Sequence, residues 1–191
     1  SNTADSQILY YWLERGYDLH LSVDTQDYYT LGFDQEKYYV SDNPTNGEIS
    51  MKQLNTLLAR SGEDGILFNG DFIAALNYYC GVKNNSEYAA STSTSWYRSV
   101  YSDGTNADAY KDAGFDSYYF IAADTSRTES KRMFDVTGIT DIGYSVLREN
   151  FDYGEVVRIG VPGHAIYMDG YRYNSETREY ESHLNYGWGV S

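Results

Sequence analysis

Cysteine, basic residues and long apolar runs are all scarce in this chain of 191 residues. Cys80 is its single cysteine, so a disulfide framework is excluded. No apolar run approaches the roughly 18 residues of a membrane-spanning helix, so we expect no membrane insertion. Lys and Arg number 14 against 28 Asp and Glu, and the formal charge of -14 repels phosphate backbones and anionic lipids. The charge therefore argues against nucleic acid as a partner.

The residues that are abundant indicate a globular protein with an unusual surface. Hydrophobic residues make up 41% of the chain, and its length is that of one domain with a real core. Tyrosine occurs 22 times, and because its ring is apolar and its hydroxyl polar, it suits half-buried strands and hydrogen-bonding surfaces. Low lysine with abundant Asn, Asp, Ser, Thr and Tyr is typical of secreted or cell-surface bacterial proteins, which is the location we expect.

Helical patterns dominate the first half of the chain. Apolar residues at helical spacing, a capping pattern and glycine stop signals predict three helices. They cover about residues 3–15, ending at Gly16; the residues after Ser50, ending at Gly62; and about 70–80. The third is predicted to bury one face, formed by Phe72, Ile73, Leu76 and Cys80.

The last part of the chain changes to strand periodicity. A helix over 145–153, closed by Gly154, is followed by predicted strands over 156–161, 165–171 and 180–185. A turn at 174–177 joins the last two strands as a hairpin. Helices first and antiparallel strands last predict the α+β class, with one domain over 1–191.

The middle of the chain gives weaker signals. The tyrosine-rich residues 28–40 predict either short strands or an irregular loop. The polar residues 83–114 predict an ordered surface excursion with one short helix, and 118–122 predicts a buried strand.

Two glycine-flanked motifs near the end carry the chemistry. They are Gly163-His164-Ala165 and, further along, His183-Leu184-Asn185-Tyr186-Gly187-Trp188-Gly189. A histidine at the start of a strand can act as general base to a thiol when a second group fixes its tautomer and orientation. Asn185 is the candidate for that group, Trp188 can shield the contact from water, and Gly187 allows a tight turn.

These motifs, with the helix and strand before them, resemble the corresponding half of streptopain-like cysteine peptidases. Residues 3–12 resemble the helix that follows the nucleophilic cysteine in streptopain and in the immunoglobulin-degrading papain-like enzymes. The resemblance implies a papain-like fold, in which an N-terminal helical half packs against a C-terminal antiparallel β-sheet half. It also implies thiol-dependent hydrolysis of protein or peptide substrates, with no cofactor.

The register of this resemblance places the nucleophilic cysteine immediately before Ser1. A thiol there would lie at the positive end of the helix dipole, which favours the thiolate. We therefore expect a fragment that lacks its N-terminal segment, or else a substitution at Ser1 with the register off by one. The resemblance assigns His164 as general base and Asn185 as its orienting group, with Ser1, Gly163, Gly187 and Trp188 in supporting positions.

Cys80 is the alternative nucleophile, since it precedes His164 and Asn185 in the papain order. It falls at the C-terminal end of a predicted helix, where the dipole opposes a thiolate, and on the apolar face. We expect it to be a small buried hydrophobic residue. His183 shares a strand face with Asn185 and is expected to be an ordinary strand histidine. The spacing of His and Asp residues predicts no metal site.

Two other functions remain open. The chain lacks the cysteine that the reaction needs, and the first alternative is therefore an inactive papain-like binding module that uses its tyrosine-rich surface at the cell surface. A transglutaminase-like acyltransferase uses the same Cys-His geometry with an Asp as orienting group, and Asp169 lies on the strand after His164.

Overall fold

The chain divides into two compact units, 1–118 and 119–191, each described by itself below. The computed structural model describes all residues except 1, 33, 35, 46, 90–92, 96–107, 116–133, 136–137, 140, 162–163 and 187–191. Helices lie in the N-terminal half and an antiparallel sheet in the C-terminal part, so the class is mixed α and β, as predicted. The papain-like fold and the single domain over 1–191 stay predictions.

Four α-helices are described in the first unit: α1 (Asn2–Glu14), α2 (Met51–Leu58), α3 (Gly70–Lys83) and α4 (Asp108–Asp112), with a short 3-10 helix over Ile66–Phe68. α1 ends as predicted, because Gly16 adopts φ +80 and its N–H donates to the carbonyl of Leu13 at 2.9 Å. The predicted capping box of Ser50 and Gln53 opens α2. The predicted end at Gly62 is wrong, because α2 stops at Leu58. None of the described helices is long and apolar enough to cross a membrane.

The core of the first unit lies where α1 and α2 pack against α3. Its most buried side chains come from all three helices: Leu9, Leu54, Leu58, Phe72, Leu76, Tyr79 and Cys80. Ile73 was predicted on the buried face of α3 but is 45% exposed. One residue step turns a helix by about 100°, which carries Ile73 beyond the face that Phe72 and Leu76 share.

A four-stranded sheet in the first unit has the order β2-β1-β3-β4. Its strands are β1 (Tyr28–Leu31), β2 (Lys37–Tyr39), β3 (Ser86–Tyr88) and β4 (Ser93–Ser95). The strand alternative for 28–40 is therefore confirmed. The surface prediction for 83–114 is wrong at its start, where Lys83, Asn84 and Ser86 are buried, because β3 pairs with β1 in parallel. The short helix predicted in that stretch is α4.

The second unit is built on the antiparallel sheet β7-β8-β9, formed by β7 (Val157–Val161), β8 (His164–Asn174) and β9 (Glu179–Asn185). The helix α5 (Asp141–Asp152) precedes it, beginning earlier than predicted, and a small hairpin joins β5 (Phe134–Asp135) to β6 (Gly138–Ile139). The predicted β8–β9 turn is confirmed, since Asn174 Oδ1 accepts from the N–H of Glu176 at 3.0 Å and of Thr177 at 3.3 Å. The strand predicted over 118–122 lies outside the described residues.

Candidate functional site

The β8–β9 hairpin carries the two principal residues of the predicted site. Residues 165–168 of β8 are all buried, although neighbours on a strand point to opposite faces, so both faces of β8 are covered there. α5 packs against β8, where Phe151 contacts the ring of Tyr171 at a centroid distance of 6.2 Å and Asp152 accepts from its hydroxyl at 2.8 Å. The base of the hairpin is thus a packed part of the unit.

His164 and Asn185 lie at the same end of this hairpin. β8 begins at His164, whose backbone pairs with Val161 of β7. β9 ends at Asn185, which is exposed and pairs with Tyr167 of β8. In this register Asn185 lies opposite Tyr167, three residues along β8 from His164. The contact between the side chains of His164 and Asn185 stays a prediction.

The supporting residues of the predicted site fall outside the described part of the chain. Ser1 precedes α1, Gly163 lies just before β8, and Gly187 and Trp188 follow β9. Only their places in the sequence relative to the described elements are fixed.

The first turn of α1, next to the predicted position of the nucleophile, is held by buried polar contacts within the first unit. Asn2 donates from Nδ2 to Tyr88 Oη at 2.9 Å. Asp5 is fully buried, and its carboxylate accepts hydrogen bonds from Tyr110 Oη at 2.8 Å and from Asn84 Nδ2 at 3.2 Å. A carboxylate in the first turn also complements the positive end of the helix dipole. A residue placed before Ser1 would therefore adjoin a well-anchored helix start.

Cys80 does not have the properties of a nucleophile. Its side chain is fully buried in the core and is a free thiol. Burial, followed by the charge of Asp5, raises the pKa of the Cys80 thiol well above its usual value. A neutral, inaccessible thiol is a packing residue, as its place on α3 predicts.

A β-bulge brings together two side chains that the sequence pattern did not predict to meet. The β8–β9 register shifts between Met168 and Gly170, which leaves Asp169 as the extra residue. Its Oδ1 contacts Nδ1 of His183, an imidazole that is 72% exposed. A glycine inside a strand pattern marks a bulge, so the pair Asp169-Gly170 was the available signal. Asp169, the orienting group of the acyltransferase alternative, thus has its carboxylate engaged by His183.

Comparison with protein-family models, curated protein sequences and solved structures finds no match to this chain. Within the described ranges, no group of three or more His, Cys, Asp or Glu side chains is placed to hold a metal ion. The papain-like assignment therefore depends on the residues themselves.

Proposed function

We propose that the β8–β9 hairpin supplies the histidine and amide of a thiol peptidase that acts on protein or peptide substrates. The single observation that carries the proposal is that His164 opens β8 and Asn185 closes β9 at one end of one hairpin. Antiparallel pairing brings the start of one strand close to the end of the next. The sequence resemblance to streptopain-like peptidases provides the second support.

In this proposal His164 accepts the proton of a cysteine thiol, and the thiolate attacks the carbonyl carbon of the scissile peptide. The imidazolium then returns the proton to the leaving amine as the C–N bond breaks, and water hydrolyses the thioester that remains. The side-chain oxygen of Asn185 accepts a hydrogen bond from the N–H at the other ring nitrogen and keeps the imidazole in one orientation.

The proposed nucleophile is a cysteine immediately before Ser1, because Cys80 is buried in the core and neutral. At that position the thiol precedes α1, whose unsatisfied N–H groups and dipole favour a thiolate. The buried contacts of Asn2 and Asp5 fix the first turn of the helix.

The test is a protein in which a cysteine precedes Ser1, compared with a matched protein that has alanine there. We expect cleavage of fluorescently labelled, unfolded casein by the cysteine form alone, and its loss after treatment with iodoacetamide. Circular dichroism shows whether the two proteins are equally folded. If both are folded and neither cleaves casein, the proposal is wrong.

Histidine substitutions identify the general base within the cysteine form. His164→Ala should lower kcat/KM by about 100-fold or more, the usual contribution of a general base. His20→Ala is the matched control, since His20 is exposed and its ring contacts only Ser22 Oγ, at 3.4 Å, among the described residues. Loss of activity in His183→Ala with retention in His164→Ala would instead make the Asp169–His183 pair the acid–base group.

A specific observation also favours the inactive binding module. Tyr173 and Tyr180 pair across the β8–β9 hairpin and are 54% and 44% exposed. The guanidinium of Arg148 lies 4.3 Å from the ring centroid of Tyr180. Exposed tyrosine and arginine are enriched in protein interfaces. A folded cysteine form without cleavage activity would favour this second function.

A further inference from the structure

A polar cleft in the first unit shares no residue with the proposed peptidase site. It lies beside the β1–β2 ribbon, the end of α3 and α4, and encloses about 350 Å³. That volume falls at the lower end of the range of about 300–1,000 Å³ found for small-molecule sites. The residues that matter here are Asp27, Tyr28, Tyr39, Lys83, Asn85 and Asp112.

The floor of the cleft holds a buried ammonium group between two carboxylates. Lys83 is 7% exposed, and its Nζ lies 2.9 Å from Asp27 Oδ2 and 3.0 Å from Asp112 Oδ2. An ammonium has three N–H donors, and within the described residues these two contacts are its only hydrogen-bond partners. One donor of Lys83 is therefore left for a ligand.

An acceptor lies close to that donor. Both contacts of the Asp27 carboxylate, from Lys83 and from the N–H of Asp24 at 2.8 Å, are made by Oδ2. Oδ1 has no hydrogen-bond partner in the part of the chain that the structure describes, although the side chain is only 14% exposed. Asn85 adds a side-chain amide at the rim, which has no partner among the same residues. The cleft thus presents donors and acceptors side by side.

The charges of the cleft balance, and its wall is aromatic. Lys37 and Lys83 offset Asp27 and Asp112, whereas the whole chain carries -14. Tyr28 and Tyr39 pair across β1 and β2 with ring centroids 5.3 Å apart, and Tyr39 is 49% exposed. The ammonium of Lys37 lies 4.3 Å from the ring centroid of Tyr28.

We propose that this cleft binds a neutral polyhydroxylated molecule, a sugar ring being the simplest. A hydroxyl group accepts one hydrogen bond and donates another, which matches the donor of Lys83 beside the acceptor of Asp27. A neutral ligand leaves the balanced charges undisturbed, while the C–H face of a ring can pack against Tyr39. An anion would meet two carboxylates, and a cation would meet two ammonium groups.

Titration calorimetry with glucose, galactose, mannose and N-acetylglucosamine tests the proposal, with zwitterionic glycine and anionic glucuronate as charged probes. We expect saturable binding of at least one neutral sugar and none of glycine or glucuronate. Absence of saturable binding by all four sugars overturns the proposal, and so does tighter binding of either charged probe.

Two variants locate the binding without disturbing the fold. Asn85 adopts φ +48, a conformation that glycine takes without strain, so Asn85→Gly removes the amide alone. Tyr39→Ala removes the exposed wall. Each should weaken sugar binding about tenfold, the loss expected for one or two contacts. Tyr173→Ala, an exposed tyrosine of the second unit, is the matched control and should bind normally. Unchanged affinity in both cleft variants overturns the assignment.

Discussion

The polar contacts of the two units differ in burial and in sequence range. In the first unit several of them are buried and join distant residues, as when Asn2 Oδ1 accepts from Ser86 Oγ at 2.9 Å and Lys83 contacts Asp27. In the second the described ones are mostly exposed and join neighbouring elements, as when Arg172 of β8 contacts Glu181 of β9 at 2.6 Å. Their energetic roles should differ accordingly.

A buried polar group is costly when its partner is removed, so the contacts of the first unit select one arrangement of its helices and strands. An exposed ion pair contributes little stability, because solvent competes for both partners. The exposed pairs of the hairpin remain accessible to a substrate or partner. The first unit thus holds the buried polar contacts that are costly to break, and the chemistry we propose for His164 and Asn185 is placed in the second.

Alkaline pH should lower the stability of the first unit by the largest amount, because it ionises several tyrosine hydroxyls that are buried or half-buried. Burial, followed by the charge of Glu48, raises the pKa of Tyr78 from 10.0 to about 12, and burial raises that of Tyr29 further. The unfolded chain ionises first, so this stabilisation is complete below pH 10 and is lost as the pH rises towards 12.

Urea denaturation followed by circular dichroism at several pH values measures this loss. We expect the urea concentration at the unfolding midpoint to decrease as the pH rises from about 9.5 to about 11.5. The decrease should be smaller in Tyr78→Phe, which has no hydroxyl to ionise at that position. A midpoint that is the same across this range would contradict the prediction.

Lys83→Met should have the next largest effect, a loss of up to about 3–5 kcal/mol in the free energy of unfolding, because it leaves the largely buried Asp27 carboxylate without its cation. Burial already raises the pKa of Asp27 in spite of the ammonium, while the two carboxylates outweigh burial and raise the pKa of Lys83. Both pKa shifts favour the protonated forms of Asp27 and Lys83. The loss should therefore shrink as the pH is lowered and Asp27 becomes neutral, which urea denaturation at acidic and neutral pH can show.

The double variant Lys83→Met with Asp27→Asn is the control for this interpretation. Because it removes both charges, it should recover part of the lost stability. A double variant less stable than Lys83→Met would mean that the ion pair is not the cause.

Two glycines of α3 give a smaller and closely matched comparison. A Cβ at Gly81 would overlap Tyr88 Oη and lie 3.3 Å from Asn2 Nδ2, whereas a Cβ at Gly70 meets nothing within 4 Å. Gly81→Ala should therefore cost about 1–3 kcal/mol of stability through overpacking. Gly70→Ala should be neutral or slightly stabilising. Equal thermal midpoints for the two variants would show that the Asn2–Tyr88 contact does not hold α1 as described.

Arg172→Met in the second unit should have the smallest effect. The Arg172 side chain is 79% exposed, and its partner Glu181 also accepts from Asn174 Nδ2 at 2.6 Å. We expect a urea midpoint within experimental error of that of the parent protein. A large drop would remove the contrast between the two units.

Local patterns in the sequence predicted much of the secondary structure. The capping residues Ser50 and Gln53, the left-handed glycines Gly16 and Gly154 and the turn at Asn174 all act on chain neighbours, so their effect is visible in the sequence. The site was predictable only as motifs. Whether 164 and 185 meet depends on the strand register.

The sequence alone determined where α1 and α3 begin and end to within a few residues, and that the chain closes with a hairpin. Tertiary structure decided that β3 joins β1 in parallel, that Lys83 is buried between Asp27 and Asp112, and that a bulge brings Asp169 to His183. Helix caps and hairpin turns are short-range interactions. Burial of a charge and strand register are set by residues far apart in the chain, whose pairing no local pattern specifies.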